Sequence, residues 1–179
     1  MATLSVGGTT VFDGAVLQSG VTFPAVNRPG IRQFIQNTTE TETNTGFSAG
    51  AEVEIVDMKV AITPKATDSR FLVTLSCGGM ALNSTYAVGV HLKRITGGVT
   101  TMARKVARYW YSSDTGNVWR YAAVSINYLD TPTIPSTPIE IVYQMYMKST
   151  NAQSFEMNPN SESASDRAGV VTVMEIAPN

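Results

Sequence analysis

The sequence predicts an all-β protein: an antiparallel jelly-roll-like β-sandwich with an extended N-terminal arm. Apolar and polar residues alternate with a period of two in about eight stretches, which is the pattern of half-buried strands. Turn signals separate these stretches every eight to twelve residues or so. No stretch shows a persuasive helical period, so a sandwich wound as a jelly roll is the expected architecture.

The composition agrees with a strand-rich protein that carries little charge. The chain has 179 residues, which suits one domain with a tail. Charged residues make up 15%, below the ~25% that is usual for soluble domains, and 15 Ser and 22 Thr take their place. Threonine favours strands. The net charge of -1 provides no general attraction to nucleic acid.

Two adjacent stretches are predicted to form the centre of the sandwich. The first covers 53–62, where Val56, Met58, Val60 and Ile62 alternate with polar or small residues. The second covers 71–80, with Phe71, Val73, Leu75 and Cys77 on one face and Leu72, Thr74 and Ser76 on the other. Because only Pro64 and a short polar patch separate them, they are expected to pair as antiparallel neighbours.

Further strands are predicted along the chain at 31–36, 86–93, 99–107, 118–129, 139–148, 155–157 and 170–176. The polar stretch 37–44 is expected to be a solvated loop or an edge strand. Gly97-Gly98 predicts a hairpin turn, since paired glycines supply the positive φ angles that such turns need. Three prolines within 130–138 end the strand before them.

Residues 1–29 are predicted to be an extended docking arm, and residues 30–179 the β-sandwich domain. Glycines interrupt short apolar groups in the first segment, so it cannot form a core alone but is too apolar for a free linker. Its expected role is to dock on its own trimer or on a neighbouring protein. Its apolar anchors are Val11, Phe12, Leu17, Val21 and Phe23.

The N-terminal sequence predicts no secretory signal, because Met1–Leu4 lacks a basic region followed by an apolar one. No run approaches the ~18 apolar residues of a membrane span. The single cysteine, Cys77, excludes an intramolecular disulfide, and its apolar strand face predicts a buried small hydrophobe rather than a reactive thiol.

The sequence contains no motif for catalysis, a metal or a cofactor. His91 is the lone histidine and lies within an alternating strand, which favours a structural role over catalysis. Glu52 and Glu54 share one strand face and could serve as Ca²⁺ ligands or glycosidase carboxylates, but two solvent-facing charges are the preferred interpretation. The glycine pairs lack the residues of a phosphate loop. The glycosylation sequons at Asn37 and Asn83 are expected to be chance matches.

An aromatic cluster is the best binding candidate. Aromatic side chains beside a polar loop commonly grip carbohydrate or protein surfaces. The alternatives are core packing or a subunit interface, which the placement of two members on one strand face favours. The candidates are Tyr109, Trp110, Tyr111, Trp119 and Tyr121.

Several segments, in order along the chain, resemble small virion structural proteins of tailed phages, notably marine and cyanobacterial ones, which are described as tail-fibre-like or head decoration proteins. These segments are 9–14, 20–24, 62–64, 69–73, 128–132 and 173–178. The resemblance implies a particle component, a homotrimer without enzymatic activity, and it does not fix a position on the head or the tail. Because no secretory signal is predicted, assembly in the host cytoplasm is expected, and the expected partner is the major capsid protein or another virion protein. The resemblance assigns no binding residues and no cofactor.

Two functions remain open at this point. One is a capsid cement or decoration protein. The other is a tail-fibre or receptor-binding adhesion module that recognises a host surface glycan. The chain has an arm but no shaft, and a fibre must bridge a long distance whereas a decoration protein only has to clasp, so cement is favoured. Nucleic-acid binding and membrane insertion are not expected, and an enzyme such as a depolymerase ranks last because no site supports it.

Overall fold

Alternating apolar and polar residues form β-strands throughout the part of the protein that the computed structural model describes. The backbone is described for residues 3–6, 9–13, 16–17, 30–39, 43–83, 88–110, 119–149, 153–157 and 169–178, and side chains for 30–39, 46, 48–77, 88–104, 123–149 and 169–178. Within these ranges no helix has the length and apolar character to cross a membrane. The strands are β1 Thr3–Val6, β2 Thr9–Asp13, β3 Val16–Leu17, β4 Ile31–Thr39, β5 Thr43–Phe47, β6 Glu52–Ile62, β7 Arg70–Asn83, β8 Val88–Thr96, β9 Val99–Trp110, β10 Trp119–Asp130, β11 Ile141–Ser149, β12 Gln153–Met157 and β13 Gly169–Ile176.

Eight of the described strands are wound as a jelly roll. They pair in nested fashion: β4 with β13, β6 with β11, β7 with β10, and β8 with β9, all antiparallel. One long antiparallel ribbon folded around itself produces this pattern. Two further pairings, β13 with β7 and β11 with β8, complete two sheets, β4-β13-β7-β10 and β6-β11-β8-β9. The predicted fold class is therefore confirmed.

Two short strands extend the first sheet at one end of the sandwich. The far part of β7 pairs with β12 from Met80 to Asn83, and β12 pairs in turn with β5. The stretch 37–44, predicted as a loop or an edge strand, is divided: β4 continues to Thr39, and β5 begins at Thr43 as the edge of the sheet. The first sheet is thus longer than the second along the strand direction.

The core lies between the inner faces of the two sheets. β7 contributes Phe71, Val73, Leu75 and Cys77, all without solvent exposure. From the opposite sheet come the buried residues Met58, Val60, Ile62, Val90, Leu92, Ile141, Tyr143, Met145 and Met147. Burial of each large apolar side chain contributes about 1.5–3 kcal/mol before ordering costs. Cys77 is buried, as predicted.

The expected pairing of 53–62 with 71–80 is wrong. β6 pairs with β11, whereas β7 pairs with β13, β10 and β12, so the chain crosses from one sheet to the other between them. Both strands present an apolar face because they face each other across the core. A period-two pattern reveals a buried face but not the neighbouring strand. In addition, the β6–β11 register is irregular between Glu54 and Lys59, so Ile55 is buried and Val56, predicted on the apolar face, is exposed.

The predicted hairpin turn at Gly97-Gly98 is confirmed. Thr96 pairs with Val99 at the end of the β8–β9 ladder. Gly97 and Gly98 have φ angles of 56° and 78°, the left-handed conformation that both central residues of this tight turn require. The two consecutive glycines are therefore the feature of the sequence that determines this turn.

The predicted arm contains the small antiparallel sheet β1-β2-β3, whose strands pair with one another. Of the predicted anchors, Val11 and Phe12 lie in β2 and Leu17 in β3, while Val21 and Phe23 lie outside the described residues. The division into arm and sandwich, and the docking role, stay predictions.

Gly169 is predicted to be intolerant of a side chain. A Cβ at this first residue of β13 would lie 2.3 Å from Sδ of Met58 and 3.2 Å from Cγ2 of Thr39. Gly169→Ala should therefore lower the free energy of unfolding by about 1–3 kcal/mol, measured by urea denaturation. Gly46→Ala is the matched control, because a Cβ there has nothing within 4 Å. Equal unfolding midpoints for the two variants would contradict this close packing.

Candidate functional site

A buried carboxylate joins the two sheets at the end of β10. Both carboxylate oxygens of Asp130 lie 2.8 Å from Nη1 of Arg94, and the hydroxyl of Tyr143 donates a hydrogen bond to Oδ2 at 2.7 Å. Arg94 and Tyr143 belong to β8 and β11 of the opposite sheet. Burial, together with the negative charge of Asp130, raises the pKa of Tyr143 far above its usual value.

A second buried carboxylate is hydrogen-bonded to the segment that connects β6 in one sheet to β7 in the other. Glu175 of β13 is fully buried and accepts a hydrogen bond from the backbone N–H of Lys65 at 2.8 Å. The hydroxyl of Ser69 and the side-chain amide of Gln33 also donate to it. Since buried charge is costly unless it is hydrogen-bonded, these contacts indicate a structural role for Glu175 rather than an open reactive group.

The outer face of the β6-β11-β8-β9 sheet brings together His91 and Glu52, which the sequence analysis considered separately. Nδ1 of His91 bonds to one oxygen of Glu52, and the ammonium of Lys93 bonds to the other. Nζ of Lys93 also lies 4.3 Å from the ring centroid of Tyr146. Although partial burial acts to raise it, the hydrogen bonds from Lys93 and His91 hold the pKa of Glu52 below its ordinary value.

Glu54 does not converge with Glu52 on a common point. Its carboxylate accepts a hydrogen bond from the side-chain amide of Gln144, its neighbour on β11. Across the described residues, no group of three or more His, Cys, Asp or Glu side chains could hold a metal ion. The arrangement is a cross-strand network of charged and polar groups, which supports the structural interpretation of both glutamates.

A groove of about 550 Å³ lies where β4 meets β6. The side-chain amide of Asn37 donates to the carbonyl oxygens of Asp57 and Lys59, at 3.0 and 2.9 Å, and so closes the sandwich at this edge. Asn37, part of one sequon, therefore has its amide engaged. The groove carries one cation and one carboxylate, Lys59 and Glu140, and its other lining residues are neutral.

The outer face of the β4-β13-β7-β10 sheet carries an apolar row that sequence analysis missed. Met174 pairs with Phe34 on one side and with Leu72 on the other, and Leu72 pairs with Leu129. The row therefore crosses all four strands. Phe34 is 53% exposed and Leu129 48% exposed. The sequence does show an apolar residue, Leu72, on the strand face that otherwise carries polar residues such as Thr74. The row itself could not be predicted, because it depends on the order of the strands in the sheet.

The predicted aromatic cluster is divided between the sheets. Tyr109 and Trp110 end β9 in one sheet, and Trp119 and Tyr121 begin β10 in the other. Tyr111 lies outside the described residues, as do the side chains of the other four. Their role as an interface or a ligand site stays a prediction.

No protein-family model and no curated protein matches the sequence. Among solved structures, the chain is similar to that of the infectious bursal disease virus Gt strain, with 11% identity and a TM-score of 0.43, covering 98% of this chain and 43% of that one. It is also similar to a mutant VP2 protein of that virus in derived T=1 particles (10% identity, TM-score 0.39, 96% and 43% covered) and to its VP2 subviral particle (11%, 0.37, 97% and 44%). The chain thus spans about two fifths of the length of these viral structures.

The buried hydroxyl of Tyr143 predicts a specific response to alkaline pH. Above about pH 10 the unfolded chain releases this proton while the folded protein retains it, so stability should fall with rising pH, by up to ~1.4 kcal/mol per unit from this group. Below that pH the tyrosine is neutral in both states and adds no pH dependence.

Tyr143→Phe should lower stability at neutral pH by about 1–3 kcal/mol, because Asp130 loses a hydrogen bond, yet show a smaller further loss at about pH 11. Urea unfolding at both pH values measures the difference. The pKa of Tyr146 is also raised, by burial and then by Glu54 and Glu52. Part of the loss of stability at alkaline pH should therefore remain in the variant. Identical alkaline losses in wild type and variant would refute the assignment to Tyr143.

Proposed function

We propose that this protein is a non-enzymatic virion structural protein of a tailed phage, a homotrimeric cement or decoration protein. The observation that carries the proposal is the outer face of the β4-β13-β7-β10 sheet, with its exposed apolar row. Large contiguous apolar patches on soluble proteins commonly mark contact with another protein, and this row runs across all four strands of a flat face.

Two further features support an assembly role. Jelly-roll sandwiches are the architecture of many viral capsid domains, although lectins and other proteins share it, so the fold alone does not decide function. The resemblance of the sequence to phage virion proteins adds the particle context. Among the described residues, His91 and four carboxylates each have a neighbouring side chain or backbone group as partner; these carboxylates are Glu52, Glu54, Asp130 and Glu175.

Attachment to the particle is assigned to residues 1–29. The apolar residues spaced along this segment contribute about 1.5–3 kcal/mol each on burial, but ordering the backbone costs ~1–2 kcal/mol per residue. Backbone hydrogen bonds to the partner, formed by strand addition, must therefore contribute as well. Three arms on one trimer act together, so weak individual contacts produce tight binding to the major capsid protein or another virion protein.

The copy number in purified particles distinguishes cement from the adhesion alternative. A decoration protein should be present in amounts close to those of the major capsid protein, because it covers the lattice. A receptor-binding module should be present in few copies and should bind a host surface glycan. Densitometry of particle proteins measures the ratio, and absence of the protein from washed particles would reject a virion role altogether.

Deletion of residues 1–25 should abolish attachment without unfolding the sandwich. Particles stripped of this protein are mixed with the full chain or with the shortened chain, and the pelleted fraction is measured. The shortened chain should remain folded and trimeric but fail to rebind. Rebinding as tight as that of the full chain would place the attachment surface on the sandwich instead.

A further inference from the structure

The apolar row Phe34-Met174-Leu72-Leu129 lies within a larger uncharged face. Ile31 pairs with Ile176 beside the row and is 62% exposed, which extends the apolar surface toward the start of β4. On the other side of the row the outer positions of the four strands carry hydroxyl, amide or small aliphatic side chains. These are Gln36, Thr38, Thr74, Ser76, Ala123, Ser125, Asn127, Val170 and Thr172.

Charge is nearly excluded from this face. Among its described residues, ionisable groups lie at the corner, where Arg70 pairs with Ile176, and where Arg32, next to Ile31 at the irregular start of β4, forms an ion pair with Asp68. The opposite face of the molecule differs, since Glu52, Glu54 and Lys93 form the network on β6 and β8. A neutral face can lie against a second neutral face without like-charge repulsion and without stranding an unpaired charge away from water.

The face is large enough to form a substantial part of a contact between protein subunits. Strands lie about 4.8 Å apart and rise about 3.4 Å per residue, so four strands over seven residues cover roughly 19 Å by 24 Å, or about 450 Å². This flat footprint is about half of the ~800 Å² that a standard interface buries on each partner. The accessible area is larger than this flat footprint, because side chains project from the sheet and because β12 and β5 extend the same sheet.

We infer that this face is covered by a second copy of this chain. The inference rests on the proposed homotrimer and names the surface that forms it: in each copy the outer face of β4-β13-β7-β10 turns toward the three-fold axis. Apolar rows from neighbouring copies then meet, with the hydroxyl and amide rows along one side of them. Apolar contacts are thus flanked by polar ones, as is common in protein interfaces. Because a second copy has the same sequence, it presents the same neutral surface.

The test is the oligomeric state of the full chain in which Leu129 is replaced by glutamate. Leu129 is 48% exposed within one chain, so Leu129→Glu is compatible with folding, but assembly would desolvate one carboxylate per copy close to its symmetry mates. Self-association should weaken on the order of a hundredfold or more, and the native mass should fall toward the 19.2 kDa of one chain at micromolar concentration.

Met102→Glu is the matched control. Met102 is 49% exposed but lies on β9 of the other sheet, so this variant should keep the wild-type mass. Leu129→Asn, which adds no charge, should weaken association less than Leu129→Glu does. Circular dichroism confirms that each variant retains its strands.

The outcomes separate this inference from the proposed function. A trimeric wild type whose Leu129→Glu variant remains as trimeric as Met102→Glu overturns the inference and leaves the homotrimer standing. A wild type that is monomeric at all concentrations overturns both the inference and the homotrimer, while the virion role is decided independently by the presence of the protein in purified particles. A loss of trimer confined to the Leu129 variants supports the inference.

Discussion

Strand β7 is hydrogen-bonded along both of its edges, and the remainder of the sandwich depends on that arrangement. β10 follows one edge from Phe71 to Asn83, while β13 and then β12 follow the other. The described inward residues of β7, Phe71 to Cys77, are fully buried, and the ring of Phe71 lies 6.2 Å, centroid to centroid, from that of Tyr143 in the opposite sheet. Its outward residue Leu72 connects Met174 to Leu129. The same strand therefore fixes the core on one side and the apolar row on the other.

Two buried carboxylates hold one end of the molecule in a single geometry. Asp130 bonds to residues of the opposite sheet, and Glu175 bonds to the link between β6 and β7. Removing a partner from such a group leaves an uncompensated buried charge, which costs more than the bond itself contributes. Leu129 immediately precedes Asp130, and Met174 immediately precedes Glu175. In each pair the carboxylate points inward and is fixed by its hydrogen bonds. Because successive strand residues point to opposite faces, this anchoring also sets the position of the outward apolar member.

Sequence reasoning recovered what local chemistry determines and failed where the answer depends on strand order. Most strands and the Gly97-Gly98 turn followed from alternation and positive φ angles, and both properties are encoded within a few residues. The pairing of β6 with β11, the meeting of His91 with Glu52 and the outer apolar row each join residues that are distant in sequence. Alternation states that a strand has a buried face but not which strand lies beside it. The nested winding supplies that order, and only the three-dimensional pairing reveals it.

The two outer faces divide the low charge of the chain unequally, and this asymmetry bears on how the molecule is used. On the β6-β11-β8-β9 sheet the carboxylate of Glu52 is shared between Lys93 and His91, so covering that face would require desolvating an ion-pair network. Hydroxyl and amide groups on the opposite face carry no net charge, and the apolar row gains free energy when it leaves water. Burial in an assembly is therefore less costly on the β4-β13-β7-β10 face. Among the residues whose side chains the structure describes, the scarcity of charge is therefore concentrated on one of the two outer faces.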